Sequence, residues 1–179
     1  MKDTVLTYSK GSKFLHWLIA IIVIMMLGTF FVDYLPKPYM STFFTVHKSF
    51  GISVLFLMLL RIIWILHTGK PQLPPTVPAW QKFLARFVQY SLYFFVILMP
   101  ISGWVMSTAK GKIPTYFGLF ELPFPGVMPD KRLGEFMNET HEIVAWIIII
   151  LLILHVAGAV KHHFIDKDNV LLRMLPGRR

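Results

Sequence analysis

Residues 142–160 read EIVAWIIIILLILHVAGAV, an apolar segment whose interior holds one ionisable side chain, that of His155. At about 1.5 Å per residue, a helix of this length crosses the roughly 30 Å hydrocarbon core of a bilayer. Three other segments of similar length and character lie at residues 14–32, 47–66 and 87–108. The sequence therefore predicts an all-α fold in which four transmembrane helices form one bundle, within a single domain covering residues 1–179.

The composition limits the chemistry that the chain can perform. Of its 179 residues, 55% are hydrophobic and 15% are charged, whereas soluble domains carry about 25% charged residues. The chain contains no cysteine, which excludes disulfides, iron–sulfur clusters, thiolate catalysis and covalently attached c-type haem. Metal chemistry must therefore depend on the 7 histidines.

Two connections between the predicted spans differ in character. Residues 68–78 contain four prolines, a density that is incompatible with a helix and suits a short extended connector. Residues 109–139 are rich in aromatic side chains. We expect this second connection to lie at the membrane interface or to cap the bundle.

Basic residues are distributed unevenly between the two sides of the predicted bundle. Of the 18 Lys and Arg, twelve fall on the side of the two termini and six on the opposite side. The positive-inside rule therefore predicts that both termini are cytoplasmic. The net charge of +9 is then a topological signal, and we expect contact with membrane lipid and no nucleic-acid partner.

Four histidines fall at two matching depths. Odd-numbered spans run outwards and even-numbered spans run inwards, so His47 and His141 lie near the outer surface and His16 and His155 near the inner one. His141 and His155 are 14 residues apart, which is about 21 Å along a helix and about 40° short of four full turns, so they share one helical face. Two histidines facing each other across a bundle suit the axial positions of a b-type haem. The pairs His47 with His141 and His16 with His155 therefore predict two haems, stacked across the membrane.

Three other residues could complete these haem sites. Gly51 and Gly158 lie within about one turn of His47 and His155, where a missing side chain would admit a porphyrin or a close helix. Arg61 lies 14 residues after His47, at the depth of the inner haem, where it could bind a haem propionate. Alternatively, Arg61 reaches the cytoplasmic interface, because it lies near the end of its span.

The histidines also allow interpretations without haem. An intramembrane histidine can bond a backbone carbonyl or line a proton path, so a histidine-relay proton or ion transporter is an alternative of another class. The lack of carboxylates in the cores of the spans disfavours this alternative. His67, His162 and His163 fall at the ends of spans, where a solvated or lipid-phosphate-binding edge is expected.

Several segments carry a resemblance to a known family. They are Phe14-Leu15-His16-Trp17, Val46-His47-Lys48-Ser49-Phe50-Gly51-Ile52, Arg61, Pro100-Ile101-Ser102-Gly103-Trp104, Thr140-His141-Glu142 and Lys161-His162-His163-Phe164-Ile165-Asp166-Lys167-Asp168. Over nearly its whole length the chain resembles the bacterial cytochrome b561 family of small four-helix dihaem membrane proteins. The resemblance implies a bacterial inner-membrane protein in which His16, His47, His141 and His155 ligate two b haems. One member of that family is a superoxide oxidase that passes electrons to ubiquinone, and this chain has Arg86 and Gln89 where that oxidase has additional histidines.

We interpret the chain as a dihaem b-type cytochrome that carries single electrons across the membrane. In the leading hypothesis, superoxide is the periplasmic donor, attracted by lysines on the outer side, and ubiquinone is the acceptor. The quinone head group is predicted at the inner end, beside Trp17, Lys161, His162 and His163. The alternative reverses the flow, with quinol oxidation and delivery of electrons to a periplasmic partner protein. The chain would be an oxidoreductase in the first case and an electron-transfer subunit in the second.

Overall fold

Four long helices dominate the computed structural model, which describes residues 7–29 and 36–176. They are α1 (Lys10–Leu27), α2 (Lys37–Thr68), α3 (Ala79–Ala109) and α4 (Lys131–Phe164). All four are long and apolar enough to cross a membrane, which confirms the predicted all-α architecture. Large apolar side chains such as Ile24, Phe56 and Ile153 are exposed along these helices, as expected for surfaces that face lipid.

The helices extend beyond the predicted apolar spans. Helix α2 begins at Lys37, before the predicted start at residue 47, and α4 begins at Lys131, before residue 142. The connection predicted over residues 109–139 is therefore too long, because residues 131–139 are helical. Hydropathy detects only the part of a helix within hydrocarbon, whereas the backbone bonding of a helix continues into polar surroundings. Residues 30–32 of the first predicted span lie outside the described residues.

Local sequence signals set several helix boundaries. Helix α1 begins after Ser9, whose Oγ accepts a hydrogen bond from the backbone amide of Ser12 at 3.2 Å. Helix α4 begins after Asp130, whose Oδ1 accepts a bond from the backbone amide of Leu133 at 3.0 Å. Both are N-cap arrangements that satisfy amides lacking a partner within the helix. Residues 69–78, between α2 and α3, are not helical, in agreement with their proline content.

Residues 110–130 fold back against the bundle as a small hairpin. Its strands are β1 (Thr115–Tyr116) and β2 (Phe120–Glu121), which pair antiparallel. Strand β1 packs against α2, where the Tyr116 hydroxyl lies 3.0 Å from the hydroxyl of Ser53. The hairpin therefore caps one end of the bundle, one of the two positions expected for it.

The two ends of the bundle can be named by what they contain. We call the end that holds residues 110–130 the hairpin end. The opposite end holds Ser9, the 69–78 connector and residues 165–176, and we call it the terminal end. The indole nitrogen of Trp64 near the end of α2 donates to Ser9 Oγ at 2.9 Å, which ties α1 and α2 together there.

An apolar layer occupies the middle of the bundle. Its buried members come from all four helices and are Ile19, Ile22, Val54, Met58, Val96, Val144 and Ile148. Among the described residues, the helix backbones approach closely between α1 and α2, α2 and α3, and α3 and α4, but hardly at all between α4 and either α1 or α2. Side chains, rather than tight backbone packing, therefore bridge α4 to the first two helices.

Candidate functional site

The four histidines of the two predicted pairs lie close together in the structure. The ring centroids of His47 and His141 are 6.2 Å apart, and those of His16 and His155 are 6.1 Å apart. Helix α4 supplies one ring to each pair, and α2 and α1 supply the others. Each pair thus bridges two helices whose backbones hardly approach one another. The apolar middle layer lies between the pairs.

The spacing of the rings is informative about what they can bind. A metal–imidazole bond is about 2 Å long and the ring centre lies about 1 Å beyond the nitrogen, so two imidazoles on opposite sides of one metal have centroids about 6 Å apart. The observed separations of 6.1 and 6.2 Å match this value. The separation within each pair is therefore compatible with one metal ion held between the two rings, and it also lies in the range of an edge-to-face ring contact.

The His47–His141 pair borders a cavity of about 330 Å³. Its lining is mainly apolar and includes Gly51 and Gly103 from α2 and α3. The Nδ1 atom of His47 is buried and has no hydrogen-bond partner among the described residues. An apolar cavity beside paired imidazoles suits a flat, largely apolar group that carries a metal.

Helix α3 holds His141 in a defined orientation. Nδ1 of His141 lies 3.1 Å from the backbone carbonyl oxygen of Met99 and 3.1 Å from Oγ of Ser102. Ser102 is fully buried, and its hydroxyl donates to the same carbonyl at 2.8 Å. Because a carbonyl oxygen only accepts hydrogen bonds, Nδ1 is the donor in the neutral ring. The lone pair is then left on Nε2, the arrangement typical of a metal-binding histidine.

Gly103 gives His141 the space that it occupies. A Cβ atom at Gly103 would lie 2.9 Å from Cε1 of the His141 ring. At Gly51 a Cβ would meet the Met26 side chain at an ordinary 3.5 Å, and at Gly158 it would meet open space. Gly103 is therefore the glycine that a close approach to a histidine requires, while the prediction that Gly51 and Gly158 admit a porphyrin or a close helix stays a prediction; Gly51 lines the same cavity. The sequence signal for Gly103 was its place in the segment Pro100–Trp104, which carries the family resemblance.

Arg61 is buried within the bundle, being only 8% exposed. Its Nη1 lies 2.7 Å from Nδ1 of His16, and its Cζ lies 5.6 Å from the ring centroid of Tyr93. Of the two alternatives for Arg61, the structure disfavours extension to the interface, because the side chain turns inwards towards His16. Its Nε is buried without a hydrogen-bond partner, and no carboxylate of the described chain forms an ion pair with it. A buried cation in this state is costly unless an anion approaches it.

Tyr8 and Gln89 join Arg61 at the terminal end, and sequence reasoning gave Tyr8 no role. The Tyr8 hydroxyl forms a hydrogen bond with the side chain of Gln89 and lies near Tyr93 and Arg61. Burial, followed by the neighbouring Tyr93, raises the pKa of Tyr8 above its ordinary value. Gln89 thus has a local partner at the terminal end.

The residues predicted to surround a quinone have specific partners. The Trp17 indole nitrogen donates to the backbone carbonyl of Met174 at 3.0 Å. Lys161 Nζ forms an ion pair with Asp166 at 2.6 Å. The His163 ring packs edge-on against that of Phe164, with centroids 4.8 Å apart. The polar atoms of Trp17 and Lys161 are therefore engaged with the segment that follows α4.

His162 differs from the solvated edge expected for it. It is 8% exposed, and its Nδ1 lies 2.7 Å from Oδ2 of Asp168 and 3.3 Å from Oδ2 of Asp166. The side chain turns inwards because these carboxylates partner it. The three residues could bring ligand atoms within 4.8 Å of one another, but the ammonium of Lys161 already pairs with Asp166.

The fold defines the class of the protein, a helical membrane protein with four candidate membrane-spanning helices among the described residues. The chain belongs to the prokaryotic cytochrome b561 family, whose model matches residues 7–177. Members of this family bind b-type haem, and the chain is a bacterial membrane electron-transfer protein.

Three relatives agree with this assignment. Cytochrome b561 homolog 2 of Escherichia coli (strain K12) is 35% identical over 173 residues, covering 94% of this chain and 90% of that protein. Cytochrome b561 homolog 1 of the same organism is 31% identical over 176 residues, covering 96% and 98% of the two chains. A protein named probable superoxide oxidase CybB, of Yersinia pestis, is 29% identical over 171 residues, covering 92% and 93%.

Proposed function

We propose that the chain is a dihaem b-type cytochrome that moves single electrons across the bacterial inner membrane, from superoxide at the hairpin end to ubiquinone at the terminal end. Both termini would be cytoplasmic, in keeping with the excess of basic residues on their side. The observation that carries the proposal is the pairing of four histidines at 6.1 and 6.2 Å on either side of an apolar layer.

The residues present fit b-type haem directly at the His47–His141 level; at the His16–His155 level Arg61 Nη1 donates to His16 Nδ1, so Arg61 must release that nitrogen before Nε2 of His16 can bind a metal. His47 and His141 would hold one haem and His16 and His155 the other, and the buried guanidinium of Arg61 would pair with a propionate of the second. When bound, the haems supply reversible one-electron redox chemistry. With two imidazoles holding each haem, outer-sphere electron transfer is the chemistry that would remain. The bond from His141 to the Met99 carbonyl fixes the tautomer that ligation requires.

The surroundings of the His47–His141 pair support a small anionic donor. Lys48 lines the cavity beside these rings, and its Nζ donates to the backbone carbonyl of Lys112 at 3.1 Å. Asn138 also lines the cavity and accepts a hydrogen bond from Lys110 Nζ at 2.8 Å. Positive charge beside a redox site raises the local concentration of an anion such as superoxide. Glu142 lines the cavity as well, so the attraction is local and partly offset.

The acceptor site is assigned to the terminal end, beside the His16–His155 pair. A quinone head group needs hydrogen-bond donors next to the inner haem, and Trp17, Lys161, His162 and His163 offer them there. Bonds to residues after α4 engage Trp17, Lys161 and His162. A quinone oxygen must therefore share those donors or use the half-buried His163.

A proton or ion relay is the weaker alternative. A relay through the bundle needs buried acids or waters between the histidines. Every described Asp and Glu is exposed or only half-buried, and the layer between the two pairs is apolar. The arrangement thus favours electron transfer over proton movement.

Haem counting tests the ligand assignment. We expect two haem b per chain in the protein purified after expression with ample haem, and about one in His47→Ala and in His155→Ala. His67→Ala is the matched control, because His67 is exposed near the end of α2 and should retain two. A colourless wild-type protein, or a His47→Ala variant that keeps both haems, would overturn the assignment.

Rapid mixing tests the donor and the acceptor. The oxidised protein is mixed with superoxide, and haem reduction is followed at the α band. Ubiquinone is then added to reoxidise the reduced protein. Protein that is reduced by ubiquinol but not by superoxide would contradict the proposed donor and favour quinol oxidation with delivery to a periplasmic partner.

A further inference from the structure

The spacing of His16 and His155 needs a structural cause. Helices α1 and α4, which carry these rings, have hardly any close backbone approach to each other among the described residues, yet the ring centroids lie 6.1 Å apart. Helices α2 and α3 and the side chains of the apolar middle layer link α1 to α4, and a segment that crosses the terminal end can fix the distance at the depth of these rings. Residues 165–176, which follow α4, are such a segment; we call them the C-terminal strap.

The strap is anchored first to the helix that it follows. His162 Nδ1 lies 2.7 Å from Oδ2 of Asp168, and the other carboxylate oxygen of Asp168 accepts a hydrogen bond from the Val170 amide at 2.9 Å. His162 is buried and Asp168 is half-buried. One carboxylate therefore joins the last turn of α4 to the start of the strap and sets its direction.

The second anchor lies on α1, one residue after a proposed haem ligand. The Trp17 indole nitrogen donates to the backbone carbonyl of Met174 at 3.0 Å. The Trp17 ring also contacts the imidazole of His16 edge-on, with centroids 5.5 Å apart. A bond that holds Trp17 against the strap thus also limits where the His16 ring can move.

The third anchor ties the strap to the 69–78 connector. Arg173 Nη1 donates to the backbone carbonyl of Gln72 at 2.5 Å, and its Nε donates to Oδ1 of Asn169 at 2.9 Å. The bond to Asn169 lies within the strap and stabilises it. The bond to Gln72 holds the strap to the loop between α2 and α3. The strap therefore has attachments on three sides of the terminal end.

We infer that the C-terminal strap is the positioning element that holds α1 at ligating distance from α4, with Trp17 and Asp168 as its positioning residues. This inference rests on the proposed haem ligation by His16 and His155. It assigns a role to the motif Lys161–Asp168, in which Lys161 pairs with Asp166 and His162 pairs with Asp168. Loosening the strap should free His16 intermittently and leave the His47–His141 pair untouched.

The test uses full-length protein with point substitutions. Trp17→Phe keeps the aromatic ring and removes the indole donor, and Asp168→Ala removes the carboxylate. Asp168→Asn is the conservative variant, because its amide oxygen can still accept from the Val170 amide while its amide nitrogen donates to Nδ1 of the neutral His162 ring. Trp80→Phe is the matched control, since Trp80 lies on α3 at the same end and is exposed.

Carbon monoxide binds a reduced haem only where the iron has a free position. A haem held by two histidines has none, so carbon monoxide binding measures how often a histidine ligand is released. Loss of one net hydrogen bond changes an opening equilibrium about two- to tenfold. We therefore expect Trp17→Phe and Asp168→Ala to raise the carbon monoxide-reactive fraction by about that factor, with one of the two low-spin ferric resonance signals altered. Asp168→Asn and Trp80→Phe should behave like wild type.

The outcomes separate this inference from the proposed function. Wild-type protein that lacks two low-spin haems contradicts the ligation itself. Wild-type protein with two such haems, combined with unchanged carbon monoxide reactivity and resonance signals in Trp17→Phe, overturns the strap. A variant in which both haems loosen equally also overturns it, because the strap contacts only the terminal end. If Asp168→Ala fails to fold, Trp17→Phe alone carries the test.

Discussion

The substitution Gly103→Ala tests whether α3 positions a haem ligand. The added Cβ would lie 2.9 Å from Cε1 and 3.1 Å from Nδ1 of His141. An ordinary contact begins near 3.4 Å, so the ring or the helix must move by about half an ångström. The ring cannot simply retreat, because Nδ1 is bonded to the Met99 carbonyl and lies beside Ser102 Oγ on the same helix.

The size of the effect follows from two opposing terms. Overpacking of this kind lowers the free energy of unfolding by about 1–3 kcal/mol. Replacing glycine by alanine within a helix raises it by about 1 kcal/mol, because alanine has the higher helix propensity. Global stability should therefore fall by only about 0–2 kcal/mol. Haem binding at the His47–His141 pair changes only by the part of the overpacking cost that ring movement relieves in the haem-free protein and that ligation restores. It should therefore weaken by at most about 3 kcal/mol, or roughly 150-fold.

The assay is haem titration of the haem-depleted protein, read together with thermal unfolding. Gly28→Ala is the control: Gly28 ends α1 with helical φ −60° and ψ −13°, and a Cβ there meets nothing within 4 Å. We expect Gly103→Ala to lose affinity at one of two sites and Gly28→Ala to keep both. Equal affinity of Gly103→Ala and wild type at both sites would refute the argument from ring contact.

Two further predictions follow from buried and exposed charge. Arg61→Met should raise the melting temperature of the haem-free chain, because it removes a buried cation that has no ion pair within the described chain. It should lower the melting temperature of the haem-loaded protein, because it removes the partner of a haem propionate. Shifts of the same sign in both forms would contradict the assignment of Arg61 to a propionate. Lys48→Gln should slow reduction by superoxide and flatten its dependence on ionic strength. Lys131→Gln, at an exposed residue paired with Glu135 at 3.9 Å, should do neither, and an equal slowing in both lysine variants would rule out a local attraction.

The sequence predicted more about the middle of the helices than about their ends. Uncharged runs located four spans because crossing hydrocarbon requires a long apolar helix. The same runs could not show that α2 starts at Lys37 or α4 at Lys131. Those boundaries depend on caps and turns outside the hydrocarbon, such as the carboxylate of Asp130, and hydropathy does not register them.

Helical geometry explains why the histidine pairs were predictable. A rise of about 1.5 Å and a turn of about 100° per residue convert sequence separation into depth and face, so His141 and His155 could be placed without knowledge of packing. Arg61 was placed at the right depth by the same arithmetic, but its direction was not. Whether a long side chain snorkels or turns inwards depends on its neighbours, here His16 and Tyr93.

The sequence by itself determined the class of fold, the number of spans and the two levels at which imidazoles meet, because each of these follows from periodicity and length along one chain. Only the tertiary structure decided which glycine accommodates a ring, which carbonyl fixes its tautomer and what the residues after α4 do. Gly103 and Met99 lie against His141, which is 38 and 42 positions away, and the Met174 carbonyl accepts from Trp17, which is 157 positions away. Such contacts arise from the packing of different helices, and no local pattern in the sequence encodes them.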